Sequence, residues 1–147
     1  MTERNAAALT EATRRRATEL YAEYARGNRD LVFGAMDEAV AWTSVAAASL
    51  PWTGLFQGRA GVEDYFGRVG THLAITAYEV EQLVCDGEWA AARVRATGRF
   101  HATGEEVTLA KADFMRLRDG RILEFREYYD GLALAGCLDR CQGGSPG

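Results

Sequence analysis

The 147-residue sequence predicts an α+β domain: a cone-shaped, curved antiparallel sheet covered by N-terminal helices. Three observations predict it. Apolar residues recur at helical spacing through about residue 70, the period switches to two from residue 74 to 129, and the long strands are joined by tight glycine turns. A strongly curved sheet closed by helices leaves a pocket at its wide end.

The elements follow in order. Residues 11–26 form a helix, with Ala17, Leu20, Tyr21 and Tyr24 on its apolar stripe. Gly27 stops it and Asn28 caps a short second helix over 29–36. A strand over 39–46 carries Val40, Trp42 and Ser44 on one side, and residues 50–58 form a turn with a short extended piece. Val62, Tyr65, Phe66 and Val69 mark a third helix over 59–70. The strand 75–84 sets Tyr78, Val80, Gln82 and Val84 on one side, and Asp86–Gly87 turns the chain. In the strand 89–101, Arg93, Arg95 and Arg99 alternate with Ala92, Val94 and Ala96, so Glu79 and Glu81 can pair with arginines outside. Strands 106–118 and 121–129 complete the meander. Residues 1–135 make the domain, and 136–147, ending in "GGSPG", read as a mobile tail.

Composition excludes several roles. A net charge of −4 and a pI of about 5.2 give no basic face for nucleic acid. Arg14, Arg15 and Arg16 form a solvated helix face. The start of the chain lacks the apolar core of a signal peptide, and no apolar run reaches membrane length. Three cysteines without dense spacing fit the reducing cytoplasm. Two distant histidines and the lack of a Gly-rich phosphate loop point to a protein that needs neither metal nor cofactor.

The final hairpin, "KADFMRLRDGRILEFREYYD" (111–130), sets charges among core residues, and its register decides where they go. A two-residue Asp119–Gly120 turn pairs Arg118 with Arg121 and Ala112 with Glu127, and puts Asp113 and Glu127 on opposite faces. A three-residue loop pairs Leu117 with Arg121, Lys111 with Glu127 and Asp113 with Phe125. It gathers Lys111, Asp113, Met115, Leu117, Leu123, Phe125, Glu127 and Tyr129 on one face, leaving Phe114, Arg116, Ile122, Glu124, Arg126 and Tyr128 outside. The three-residue loop is preferred because it collects the large aliphatic groups.

"YAEYARGNRDLVFGAMDEAVAW", "PWTGLFQGRAGVEDYF" and "ADFMRLRDGRILEFREYYD" together resemble the SnoaL-like branch of the nuclear-transport-factor-2-like superfamily, over about residues 14–132. That branch includes ketosteroid-isomerase-like proteins, limonene-type epoxide hydrolases and polyketide cyclases. The resemblance implies a cone-shaped α+β barrel with a deep apolar cavity, and a dimer packed through the convex sheet face. It is specific for fold and weak for activity. Asp113 occupies the place of the isomerases' oxyanion-hole aspartic acid. Their first-helix tyrosine falls at Leu20, one step from Tyr21, and their general-base aspartate falls at Thr43, which disfavours steroid isomerisation. Glu127 in "FREYYD" occupies the place of the base in the hydrolase motif W-R-D-Y-F-D, but the hydrolases' arginine and aspartate fall near Val94 and Ala96. Both comparisons turn Asp113 and Glu127 inward.

The chemistry expected of this face is proton transfer. Burial raises the pKa of a carboxyl on an apolar wall, which suits it to accept and return a proton. Glu127 is the candidate general base or acid, with Asp113 and Tyr78 as hydrogen-bonding partners. Trp42, Phe56, Phe66, Met115, Phe125 and Tyr129 are the candidate walls of a site for an apolar, oxygenated small molecule. Lys111 either bridges the carboxylates structurally or tunes them. The function expected is a cofactor-independent enzyme of ring closure, isomerisation or epoxide opening; the alternative is a non-catalytic ligand-binding protein. Phe114, Ile122 and Tyr128 are expected on the convex face, where a homodimer would cover them.

Overall fold

The computed structural model describes residues 2–143. Helices α1 (Glu3–Ala25) and α2 (Arg29–Gly34) lead into β1 (Met36–Val45). Then come β2 (Gly54–Gln57), α3 (Gly58–His72), β3 (Leu73–Asp86), β4 (Trp89–Phe100), β5 (Glu106–Arg118), β6 (Arg121–Tyr129) and α4 (Leu132–Cys141). The strands form one curved, unclosed sheet in the order β2-β1-β6-β5-β4-β3. One pair departs from the antiparallel expectation: β6, the last strand of the meander, arrives beside β1 pointing the same way. Among the described residues no helix is long and apolar enough to cross a membrane.

Helix α1 starts earlier than the apolar stripe suggests. Thr2 accepts a hydrogen bond from the Asn5 amide at 3.1 Å, and the alanines that follow favour helix without needing burial. Asn28 precedes α2, but its side chain donates to Glu23 and does not cap. Helices α1 and α3 lay Ala17, Leu20, Val62 and Tyr65 over the concave face of the sheet, where Val40, Trp42, Val94, Met115 and Phe125 form the core.

Bulges bend the sheet and set which residues face inward. In β3, Val80 pairs with Val94 and Gln82 with Arg93, so Glu81 is an extra residue. Tyr78 and Val80 therefore point in, whereas Gln82 and Val84, expected beside them, are exposed. The β3–β4 turn is Gly87–Glu88, one residue later than expected, with Gly87 at φ 59°. Helix α1 clasps it: Thr13 Oγ1 donates to the Gly87 carbonyl at 2.6 Å, and the Gly87 amide donates to Thr10 Oγ1 at 3.0 Å.

The last hairpin reaches the expected faces by a different route. Arg118 pairs with Arg121, so the turn is the two-residue Asp119–Gly120, with φ of 52° and 77°. Leu117 then pairs with Ile122 but Arg116 with Glu124, which makes Leu123 a bulge. That extra residue returns Phe125, Glu127 and Tyr129 to the inner face. The expected pairings shift accordingly: Asp113 lies opposite Glu127, and Lys111 opposite Tyr129. Ile122, expected on the convex face, is buried in the core; Phe114 and Tyr128 remain outside, edge to face at 5.8 Å.

Residues 136–141, expected in a mobile tail, continue α4, whose Leu134, Cys137 and Leu138 are buried. The chain enters this helix tightly: a Cβ at Gly131 would stand 2.9 Å from the Ala47 amide nitrogen. Residues 144–147 of the expected tail lie outside the described residues.

Candidate active site

The cone holds a cavity of about 110 Å³. Its wall is aromatic. Trp42 stacks on Phe125 at 4.1 Å, and Phe66 closes on Trp42 at 5.4 Å. This follows from register, since Trp42 of β1 lies beside Phe125 of β6, as Ser44 lies beside Glu127.

A cluster of charge interrupts that wall. Lys111 Nζ donates to Glu127 Oε1 at 2.6 Å and stands 3.2 Å from Asp113 Oδ1, an ion-pair contact without hydrogen-bond alignment. Tyr65 donates to Glu127 Oε2. Tyr78 and Tyr21 both donate to Asp113 Oδ2, at 2.5 and 3.0 Å. Asp113 and Glu127 are buried, at 0% and 2% exposure. Lys111 also lies 5.0 Å from the centre of the Tyr78 ring, a cation–π contact.

Burial penalises each charge here, and the neighbours decide the outcome. Burial pushes the Lys111 ammonium down, but Asp113 and Glu127 together outweigh it and hold its pKa well above the ordinary lysine value. For Asp113 burial wins: its pKa is raised even though Lys111 and the two tyrosines favour its charged form. Burial, reinforced by the adjacent carboxylates, lifts Tyr21, Tyr65 and Tyr78 well above the ordinary phenol, so all three act as hydrogen-bond donors. One cation facing two carboxylates leaves an excess negative charge, and protonation of Asp113 removes it.

That shift has a consequence for stability. A carboxyl whose folded pKa is raised stabilises the fold below its unfolded pKa, and that contribution is lost as pH rises through the folded value. Asp113→Asn cannot titrate. Its stability relative to the parent chain should therefore improve from mildly acid to neutral pH in urea unfolding. A difference that is flat in pH, or of the opposite slope, would contradict the shift.

The structure gathers most of the residues expected at the site. Glu127, Tyr78, Trp42, Phe66, Met115, Phe125 and Tyr129 line the cavity. Asp113 does not; it lies behind Lys111 and Tyr78, out of reach of a ligand. Phe56 does not either, because Tyr65 stands between β2 and the cavity and takes the Phe56 ring against its own at 5.4 Å. Thr43 alternates with Trp42 and Ser44 and so faces away from the cavity. Two polar residues, Tyr65 and Tyr21, gain a place the sequence did not give them, and Lys111, expected to bridge the carboxylates or to tune them, contacts both. Lys111 is the centre of the cluster. Tyr65 looked like one more apolar position on α3, although its hydroxyl was the single polar group on that stripe. Tyr21 reaches Asp113 from α1 and lines the cavity beside Leu20.

The SnoaL-like domain family matches residues 17–125, most of the chain. The chain belongs to the SnoaL-like family. Solved structures agree on the fold of this SnoaL-like protein. An NTF2-like protein from Burkholderia xenovorans LB400 is 23% identical with a TM-score of 0.70, over 86% of this chain and 95% of that one. A provisional isomerase from Rhodopseudomonas palustris is 20% identical with a TM-score of 0.69, over 89% and 96%. A provisional SnoaL-like polyketide cyclase from Mesorhizobium loti is 21% identical with a TM-score of 0.64, over 78% and 97%. No curated protein gives a significant match.

Proposed function

We propose that this SnoaL-like protein binds an apolar, oxygenated small molecule in the cone and catalyses proton transfer at carbon, as in isomerisation or polyketide-type ring closure. The observation that carries the reading is the Lys111–Glu127 pair on an otherwise aromatic cavity wall. Each Glu127 oxygen accepts one hydrogen bond, from Lys111 or Tyr65, and keeps lone-pair capacity to take a proton from a substrate carbon. The adjacent ammonium, which has three donors and gives one to Glu127, stabilises the oxygen on which negative charge then develops. The names of two structural neighbours, isomerase and polyketide cyclase, fit this chemistry. Epoxide opening is less well served, since the inward positions of β4, Ala92, Val94 and Ala96, present no charge.

The contact of Lys111 with both carboxylates favours a second reading, in which the cluster is neutralised and the protein binds without catalysis. Nitrobenzisoxazole separates the two. Removing its one acidic C–H proton opens the ring and releases a coloured phenolate. The catalytic reading expects elimination well above that of acetate at equal concentration, suppressed by a competing naphthaleneacetamide. A rate no greater than acetate's would leave the binding reading alone.

A further inference from the structure

We propose that Arg29 receives a carboxylate at the mouth of the cavity, so that the ligand is an amphipathic acid. Its apolar body would lie among the aromatic rings, its reacting oxygen at Lys111 and Glu127, and its carboxylate on the guanidinium. The inference rests on the cavity being a small-molecule site and adds the class of ligand it takes.

Four observations carry it. Among the described residues Arg29 is the only arginine that lines the cavity, and it is exposed there, as a group at the mouth would be. Most arginines of the chain stand within ion-pair distance of a carboxylate; Arg68, for example, holds Asp64, and Arg140 holds Glu105. Among the described residues Arg29 has no such partner, although the chain is acidic overall. Its guanidinium lies over the Tyr24 ring at 5.6 Å. That contact uses no carboxylate, so the guanidinium N–H groups have no acid partner there, and they match a carboxylate in pairs.

The other cation of the cavity cannot serve. Lys111 is already held by Glu127 and Asp113, and a ligand carboxylate there would face two acidic groups. The two cations are separated by two rings. Lys111 lies 5.0 Å from the Tyr78 ring, Tyr78 meets Tyr24 edge to face at 4.9 Å, and Tyr24 carries Arg29. That separation leaves room for an apolar ring body between the reacting oxygen and the acid.

Naphthaleneacetic acid and naphthaleneacetamide test this, since they share a body and differ in charge. Trp42 and Trp52 line the cavity, so quenching of tryptophan fluorescence reads binding of both. The acid should bind the parent chain at least about fivefold more tightly than the amide at low salt, with the preference shrinking in molar salt. Arg29→Gln should erase the preference while leaving amide affinity unchanged, and Arg29→Lys should retain part of it. Equal binding of acid and amide to the parent chain would overturn the assignment while leaving the cavity as a binding site. So would a preference that survives Arg29→Gln. Failure of both compounds to bind would overturn the cavity reading and this inference with it.

Discussion

Glu127→Gln is expected to slow nitrobenzisoxazole elimination about a hundredfold or more, the usual contribution of a positioned general base. Glutamine keeps the shape and nearly all the contacts. Its carbonyl oxygen can still accept from Lys111, and its amide can donate to Tyr65, whose hydroxyl accepts as readily as it donates. Fold and amide binding should therefore persist, and urea unfolding and tryptophan quenching check both. What glutamine cannot do is take a proton. Unchanged turnover with intact binding would remove Glu127 from the mechanism. Loss of turnover together with loss of binding would show that its role is to shape the cavity.

The second large effect falls on stability. Lys111→Met should lower the unfolding free energy by about 3–5 kcal/mol at neutral pH, because it strands two buried carboxylates without their cation. In the parent chain the raised Lys111 pKa keeps the ammonium charged across the range where the fold is studied. Without it, the burial that already raises the Asp113 pKa acts unopposed by the ammonium, so Asp113 holds its proton more tightly still in the folded state than in the unfolded one. Its contribution is then present in acid and lost as pH rises, so the variant should approach the parent at low pH and fall furthest behind near neutrality. Adding Asp113→Asn and Glu127→Gln to Lys111→Met should recover most of the loss at neutral pH. A Lys111→Met variant as stable as the parent, or a deficit unaffected by pH, would mean that the ion pairs contribute little.

Much of the frame was legible in the sequence. Alternation fixed β5 and β6 to their end residues, and Val40, Trp42 and Ser44 face inward as their spacing requires. The inner placing of Phe125, Glu127 and Tyr129 was also right, although Ile122 faces inward against expectation and the loop that was to produce the faces is absent. A three-residue loop and a two-residue turn followed by a bulge place Phe125, Glu127 and Tyr129 on the same side. They differ only in sliding one strand by two positions, and Leu123, an aliphatic residue among aliphatics, carries no mark of being extra. That slide brings Asp113 directly opposite Glu127, so one ammonium can reach both. The site was legible as a pair of inward carboxylates. Two of its tyrosines were not, because Tyr21 and Tyr65 satisfy a helical apolar stripe whether or not their hydroxyls meet an acid on a distant strand. The start of α1 was hidden for the opposite reason: its first turns bury nothing, so no periodicity announces them.

The single unpaired residue at Leu123 makes the chemistry of the cone a matter of parity. Everything after it in β6 faces the cavity on odd numbers, and everything on even numbers faces away. The same residues after the same turn, with Leu123 paired regularly and no bulge, would present Arg126 and Tyr128 to the cavity in place of Glu127 and Tyr129. A basic wall would then stand where an acidic one stands now. Relatives of this chain that pair this segment without the bulge can thus share its fold while inverting the charge of their site, with no catalytic residue substituted.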